Sequence, residues 1–278
     1  MNIDLDTGKL VVFLGGLLFF LGVETLAPKR PWRESRFKRL LFHGGIAALN
    51  TILIRLLIYV PLLLWIVYVE QQGWGISRWL GLTDWVEVVA ALVVLDLFDY
   101  FWHRANHRVT FLWRFHKAHH ADTAVDVTTG LRFHPGELLI SALAKAIWIA
   151  IWGPTAIAWF LFEATVSLCA QFHHSNVDFP DHIERGISAL IVTPRFHVSH
   201  HAVDRHYGDA NFSTIFSLWD RLFRSYQRPE SGDAAINTEY GLGLPEARDL
   251  AFSPSAWLVE PFQSNNLNVN NRKTAPSD

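Results

Sequence analysis

The sequence predicts an all-α fold: a polytopic membrane helical bundle of about four spans, the last pair a hairpin, with a cytoplasmic helical cap carrying clustered histidines. Three observations predict it. Half of the 278 residues are hydrophobic, only 18% are charged, and Trp and Phe number 12 and 20, as in membrane proteins. Apolar runs of near-spanning length alternate with short polar joints. Between Asp96 and His120, where an apolar helix ends, five histidines recur at spacings of three and four. Such spacing places side chains on one helical face, so each box is expected to present its imidazoles to a common point.

The first apolar run covers residues 10–27 and reads as a retained transmembrane helix, since Asp4 and Asp6 precede it and no A-x-A cleavage pattern follows. Residues 28–39, PKRPWRESRFKR, form a short positive loop that the positive-inside rule assigns to the cytoplasm. Residues 46–69 return across the bilayer with Asn50 and Arg55 inside them, and Glu24 is a candidate partner for that Arg. A joint rich in Gly and Trp leads to a third span, residues 85–102, which descends to the cytoplasmic face. Two apolar runs within 138–169, divided by Gly153 and Pro154, make a hairpin whose short arms leave a full crossing and a re-entrant loop both open. Residues 1–230 read as one membrane-embedded domain with its cap, 231–263 as a C-terminal extension and 264–278 as a disordered tail.

Four histidine clusters carry the chemistry: HRANH (His103, His107), HKAHH (His116, His119, His120), FHHSN (His173, His174) and HVSHH (His197, His200, His201). Several boxes with ligand spacing on one membrane face point to metal binding. The imidazoles exceed what one ion takes, so two metals sharing them is the economical reading, and residue type alone does not name the metal. Asp96 and Asp99 fall on the same helical face as His103 and His107. A ligating histidine commonly gives its other N–H to a carboxylate, which makes Asp99 the candidate orienter of His103. His43, His182 and His206 lie outside the boxes and read as ordinary polar residues, and Cys169 in its apolar run reads as core. One cysteine excludes an intramolecular disulfide and any CxxC metal site. FHPGE is superficially similar to the haem motif of cytochrome b5, but it abuts a membrane helix and is set aside. A net charge of -2 and no basic stretch interleaved with aromatics leave nucleic-acid binding unsupported.

Together DYFWHRANH, FHKAHH followed by LRFHP, FHHSN, PRFHVSHH and SLWDRLFRSY resemble the sterol desaturase / fatty acid hydroxylase family of integral-membrane di-iron enzymes. The resemblance implies two iron ions held by His103, His107, His116, His119, His120, His174, His197, His200 and His201, with zinc an alternative occupant of purified protein. It gives His134 a ligand or supporting role, leaves His173 doubtful beside His174, and makes Asn211 at most a supporting residue. It further implies oxygen activation and attack on an unactivated C–H bond of a lipid, giving an alcohol or an alkene. No GxGxxG fingerprint and no haem or iron–sulfur motif occurs, so a separate donor of ferredoxin, reductase or cytochrome b5 type is implied. A bacterial inner membrane is favoured over the endoplasmic reticulum.

Two rivals come from other classes. A metal transporter needs polar groups spread through the bilayer, whereas these histidines gather on one side. A zinc hydrolase usually adds a carboxylate base such as HExxH, which does not occur.

Overall fold

The computed structural model describes residues 5–243 and 252–262, with backbone alone at 5–7 and 54–56. Among them the regular structure is helical, joined by loops that carry two isolated bridges, Ile191 with Phe216 and Ala202 with Tyr240. In order come α1 (Leu5–Leu26), α2 (Arg36–Ile54), α3 (Val60–Gln71), α4 (Ile76–Trp79), α5 (Asp84–Arg108), α6 (Thr110–His120), α7 (Pro135–Trp152) and α8 (Ala156–His174). The cap follows as α9 (Asp181–Ile187), α10 (Pro194–His200), α11 (Arg205–Gly208), α12 (Leu218–Leu222), α13 (Gly232–Asn237) and α14 (Pro254–Val259).

Three helices, in α1, α7 and α8, are long and apolar enough to cross a membrane, and the pair Arg36–Leu53 with Leu57–Trp79, bent by 49°, makes up to a fourth. Their outward faces are apolar: Leu18, Leu143 and Ile147 are each more than 60% exposed. Water would not tolerate such a surface, and the chain is an integral membrane protein. The expected third span lies in α5, which is not among those candidates because it carries Asp84, Glu87, Asp96 and Asp99. The helix turns Glu87 and Asp96 inward, both buried, and keeps Val86, Val89 and Val93 outside.

The hairpin reaches the full height of the bundle. Its arms extend to 18 and 19 residues, about 27–28 Å at ~1.5 Å per residue. Pro135 starts α7 where no N–H is needed, and Gly153 ends it with φ 74°, a left-handed position that costs glycine nothing. The turn is then fastened to the joint between α3 and α5. Ser77 Oγ donates to the Gly153 carbonyl at 2.6 Å, and the N–H and hydroxyl of Thr155 donate to Glu87 at 3.0 and 2.8 Å. Between these helices lies the main core, Ile66 and Val69 of α3, Ala91 and Leu95 of α5, Ile149 and Trp152 of α7, and Trp159 and Phe162 of α8.

At the opposite end the positive segment is a fastening as much as a loop. Lys29 pairs with Asp178 at 3.2 Å and Arg36 with Glu24 at 2.6 Å. Arg39, 1% exposed, binds both oxygens of Asp122 at 2.8 Å and Asp126 at 2.6 Å, just beyond the second histidine box. Glu24 also accepts the N–H groups of Val127 and Asn176, so its carboxylate is engaged by Arg36 and backbone; the side chain of Arg55, its expected partner, lies outside the described residues. The expected tail, 264–278, lies outside them too. Residues 252–262 of the C-terminal extension fold back on α6: Trp257 packs with Ile46 and Ala118, and Lys117 meets Glu260 at 2.8 Å.

Candidate metal centre

Four helices bring their C-terminal turns together. α5 ends with His103 and His107, α6 with His116, His119 and His120, α8 with His173 and His174, and α10 with His197 and His200, His201 being its C-cap. Helix C-termini carry partial negative charge, so the convergence favours a cation. Val109, in an extended conformation, breaks the chain between α5 and α6 and lets the second box fold back onto the first.

Nine of the histidines form two groups whose ligand nitrogens lie within 4.8 Å of one another. One contains His103, His107, His116, His120 and His200; the other contains His119, His174, His197 and His201. The boxes are therefore divided, against the expectation of one common point per box. His116 and His120, four apart, turn to the first group, while His119 turns to the second. In the last box His197 and His201 stay together and His200 crosses over. The groups touch, with the rings of His120 and His201 stacked at 4.4 Å.

Hydrogen bonding fixes what several rings present. His103 Nδ1 donates to the Phe212 carbonyl at 2.7 Å, His200 Nδ1 to the Ala210 carbonyl at 2.6 Å, and His174 Nδ1 to the Ala170 carbonyl at 2.7 Å. His116 Nδ1 meets the Glu137 carboxylate at 2.7 Å. A carbonyl only accepts, so the proton is on Nδ1 and Nε2 of the neutral ring offers a lone pair. His103 Nε2 and His200 Nε2 nevertheless face each other at 3.1 Å, and His174 Nε2 lies 3.2 and 3.1 Å from those of His119 and His197. The lone pairs of His103 and His200, fixed by their carbonyl partners, repel unless a cation lies between them. Tetrahedral bonds of about 2.0–2.1 Å put ligand nitrogens roughly 3.3–3.4 Å apart, close to these separations. The residues fit a metal pair.

Burial holds the imidazoles neutral, as ligation requires. His119, His120, His197 and His201 titrate well below the ordinary histidine range, and His200 is pushed down to about 3, burial being the main cause throughout. Beneath the second box the Arg39 guanidinium outweighs burial and holds the Asp122 carboxyl far below the usual range.

A family model described as fatty acid hydroxylase matches residues 88–225, about half of the chain and the stretch that holds all nine of these histidines. The chain belongs to the fatty acid hydroxylase family. Among curated relatives, an ornithine lipid hydroxylase of Rhizobium tropici is 29% identical over 63% of this chain and 50% of its own length. An alkylglycerol monooxygenase of Caenorhabditis elegans is 30% identical over 55% of the chain and 29% of its own, and human lathosterol oxidase 26% identical over 59% and 52%. The chain thus spans about half the length of these relatives, or less. No solved structure matches it.

Among the described residues, the five expected supporting residues make no hydrogen bond to the nine grouped rings. Asp96 accepts the N–H groups of Ile215 and Phe216 at 3.0 Å and the Trp219 indole at 2.7 Å, so it binds the cap to α5 and touches no imidazole. Asp99 faces the Lys145–Glu163 ion pair, and the carbonyl of Phe212 takes the orienting role expected of it. His134 caps α7 and bonds the Leu258 carbonyl at 3.1 Å. His173 lies behind His197, ring centroids 3.9 Å apart, outside both groups. Asn211 ties its loop to Gln227 and Ser199. Missed by sequence reasoning was Glu137, inside the FHPGE segment set aside as a haem-like match. Its signal was a carboxylate in the first turn of an apolar helix, where burial demands a partner. Gly136 permits the approach, since a Cβ there would meet the Phe115 ring at 2.6 Å.

Proposed function

We propose that this protein is a membrane-bound oxidoreductase that uses oxygen to hydroxylate or desaturate an unactivated C–H bond of a lipid. The observation that carries the reading is the pair of touching imidazole groups, five and four, all buried but the half-buried His103, where four helix ends meet at one end of a membrane bundle. His103, His107, His116, His120 and His200 would hold one iron, and His119, His174, His197 and His201 the other. Iron held there supplies the redox chemistry by which oxygen oxidises a C–H bond. Glu137 and the carbonyls of Phe212, Ala210 and Ala170 keep four rings turned with Nε2 inward, and burial keeps the rings unprotonated and excludes bulk water.

Hydroxylation consumes one oxygen molecule, two electrons and two protons, and yields the alcohol and water. A separate donor of ferredoxin, reductase or cytochrome b5 type delivers the electrons at the histidine-bearing end, which we assign to the cytoplasm of a bacterial inner membrane. The relatives named as an ornithine lipid hydroxylase, an alkylglycerol monooxygenase and a lathosterol oxidase support a lipid substrate. Gathering of the histidines at one end of the bundle speaks against a transport path for metal.

The test is lipidomics of a host expressing wild type or His120→Ala. One lipid class should gain a hydroxyl or lose two hydrogens with wild type alone. Purified protein without iron and without an oxygen-dependent product from any lipid extract would overturn the proposal, and metal flux into reconstituted vesicles would establish the transporter instead.

A further inference from the structure

The two imidazole groups differ in what stands behind them. In the group of five, three rings have a fixed acceptor at Nδ1: the Phe212 carbonyl, the Ala210 carbonyl and the Glu137 carboxylate. Among the described residues, His174 alone in the group of four has one, while Nδ1 of His119, His197 and His201 is buried with no hydrogen-bond partner among them.

Two of those acceptors come from a single loop, residues 210–216, and that loop is clamped from both sides. Asp220 accepts the N–H groups of Phe212 at 2.9 Å and Ser213 at 2.8 Å, together with the Ser225 hydroxyl at 2.7 Å. Asp96 holds Ile215, Phe216 and Trp219 as described. Both carboxylates have no exposed surface. Between the two acceptor carbonyls Asn211 adopts φ 58°, a left-handed turn tolerated by Asn, and its amide both donates to and accepts from the backbone of Gln227. Rotating either carbonyl away would break several buried hydrogen bonds at once.

We infer that the two groups are unequal metal sites, the five-histidine group binding more tightly, and that Asp220 and Asp96 are positioning residues that set the difference through the 210–216 loop. The inference rests on the reading of these imidazoles as metal ligands. Rings already oriented lose little freedom on binding, and an acceptor at Nδ1 raises the basicity of Nε2; supporting partners of this kind are worth about 10–100-fold in metal affinity.

The test uses the full chain in detergent, depleted of metal and reloaded with Co(II) alone, whose visible bands distinguish four from five nitrogen ligands. A chelator should remove it from wild type in two phases of equal amplitude, at least about tenfold apart, with the five-coordinate bands lost last. Asp220→Asn should accelerate the slow phase about tenfold or more and leave the fast one unchanged. Glu137→Gln should do the same through His116 without touching the loop, which tests the inequality of the sites; if Asp220→Asn does not fold, Asp96→Asn, expected to accelerate the slow phase likewise, decides the part played by the loop. A single phase in wild type overturns the inference while leaving the metal centre standing. So does a slow phase unchanged in both variants while their melting temperatures fall, which is a role in folding alone. Wild type that takes up no Co(II) overturns the metal centre itself, and this inference with it.

Discussion

At the scale of single residues, the buried histidines make the stability of the metal-free protein depend on pH. Their folded pKa values lie below the unfolded value of about 6.5, so below that pH the unfolded chain binds more protons than the folded one. Stability therefore falls as pH falls. Metal-depleted protein should keep a constant melting temperature from pH 8 to 7 and lose it progressively from 6.5 to 5, which thermal unfolding in detergent measures. The division of the boxes gives a second prediction. His120→Ala should lower metal content by about one ion per chain or more, whereas His173→Gln, outside both groups, should leave it unchanged by elemental analysis. Spacing in the sequence singled out the histidines, because i, i+3 and i+4 relations are local. It did not reveal that Asp99 is bypassed, because the acceptor chosen by His103 is a backbone carbonyl 109 residues away, and every residue type has one.

At the scale of elements, α6 depends on a segment that follows the family-matched region. Lys117, between two histidines of the group-forming box, is 4% exposed and its charge is met by Glu260. Glu260→Ala should destabilise the protein by about 3 kcal/mol, the usual order for stranding a buried charge, and Lys117→Met in the same chain should recover most of it. Denaturant unfolding of the three proteins checks this. Gly153 is the other exposed dependence. A Cβ there would overlap the backbone of Trp74, and its positive φ disfavours any other residue. Gly153→Ala should cost more than the ~1–3 kcal/mol of the backbone conformation alone, seen as a lower melting temperature with the metal content of the folded fraction unchanged. The Gly-Pro pair was readable as a turn; its seat against the α3–α5 joint was not, and the arms reach spanning length at their other ends, where α7 begins at Pro135 and α8 runs on to His174.

At the scale of the whole molecule, the fastenings define two ends. The turns at residues 71–83 and 153–155 share one, and the 27–39 segment, the histidine centre and the cap share the other. With Cys169 replaced by Ser, an impermeant thiol reagent should label Arg33→Cys and Glu230→Cys from one face of the membrane and Gln72→Cys from the opposite face. Labelling of Arg33→Cys and Gln72→Cys from the same face would be incompatible with this bundle.

The sequence by itself determined the class of fold, the apolar spans and the histidine clusters, because hydrophobic length and helical spacing are properties of contiguous residues. Only the tertiary structure decided how four boxes share themselves between two groups and which partners hold the rings. It also decided that Asp96 serves the cap and that Glu137 serves His116. Those outcomes depend on where separate helix ends meet and on carbonyls and carboxylates brought together from distant parts of the chain. No local pattern encodes that meeting.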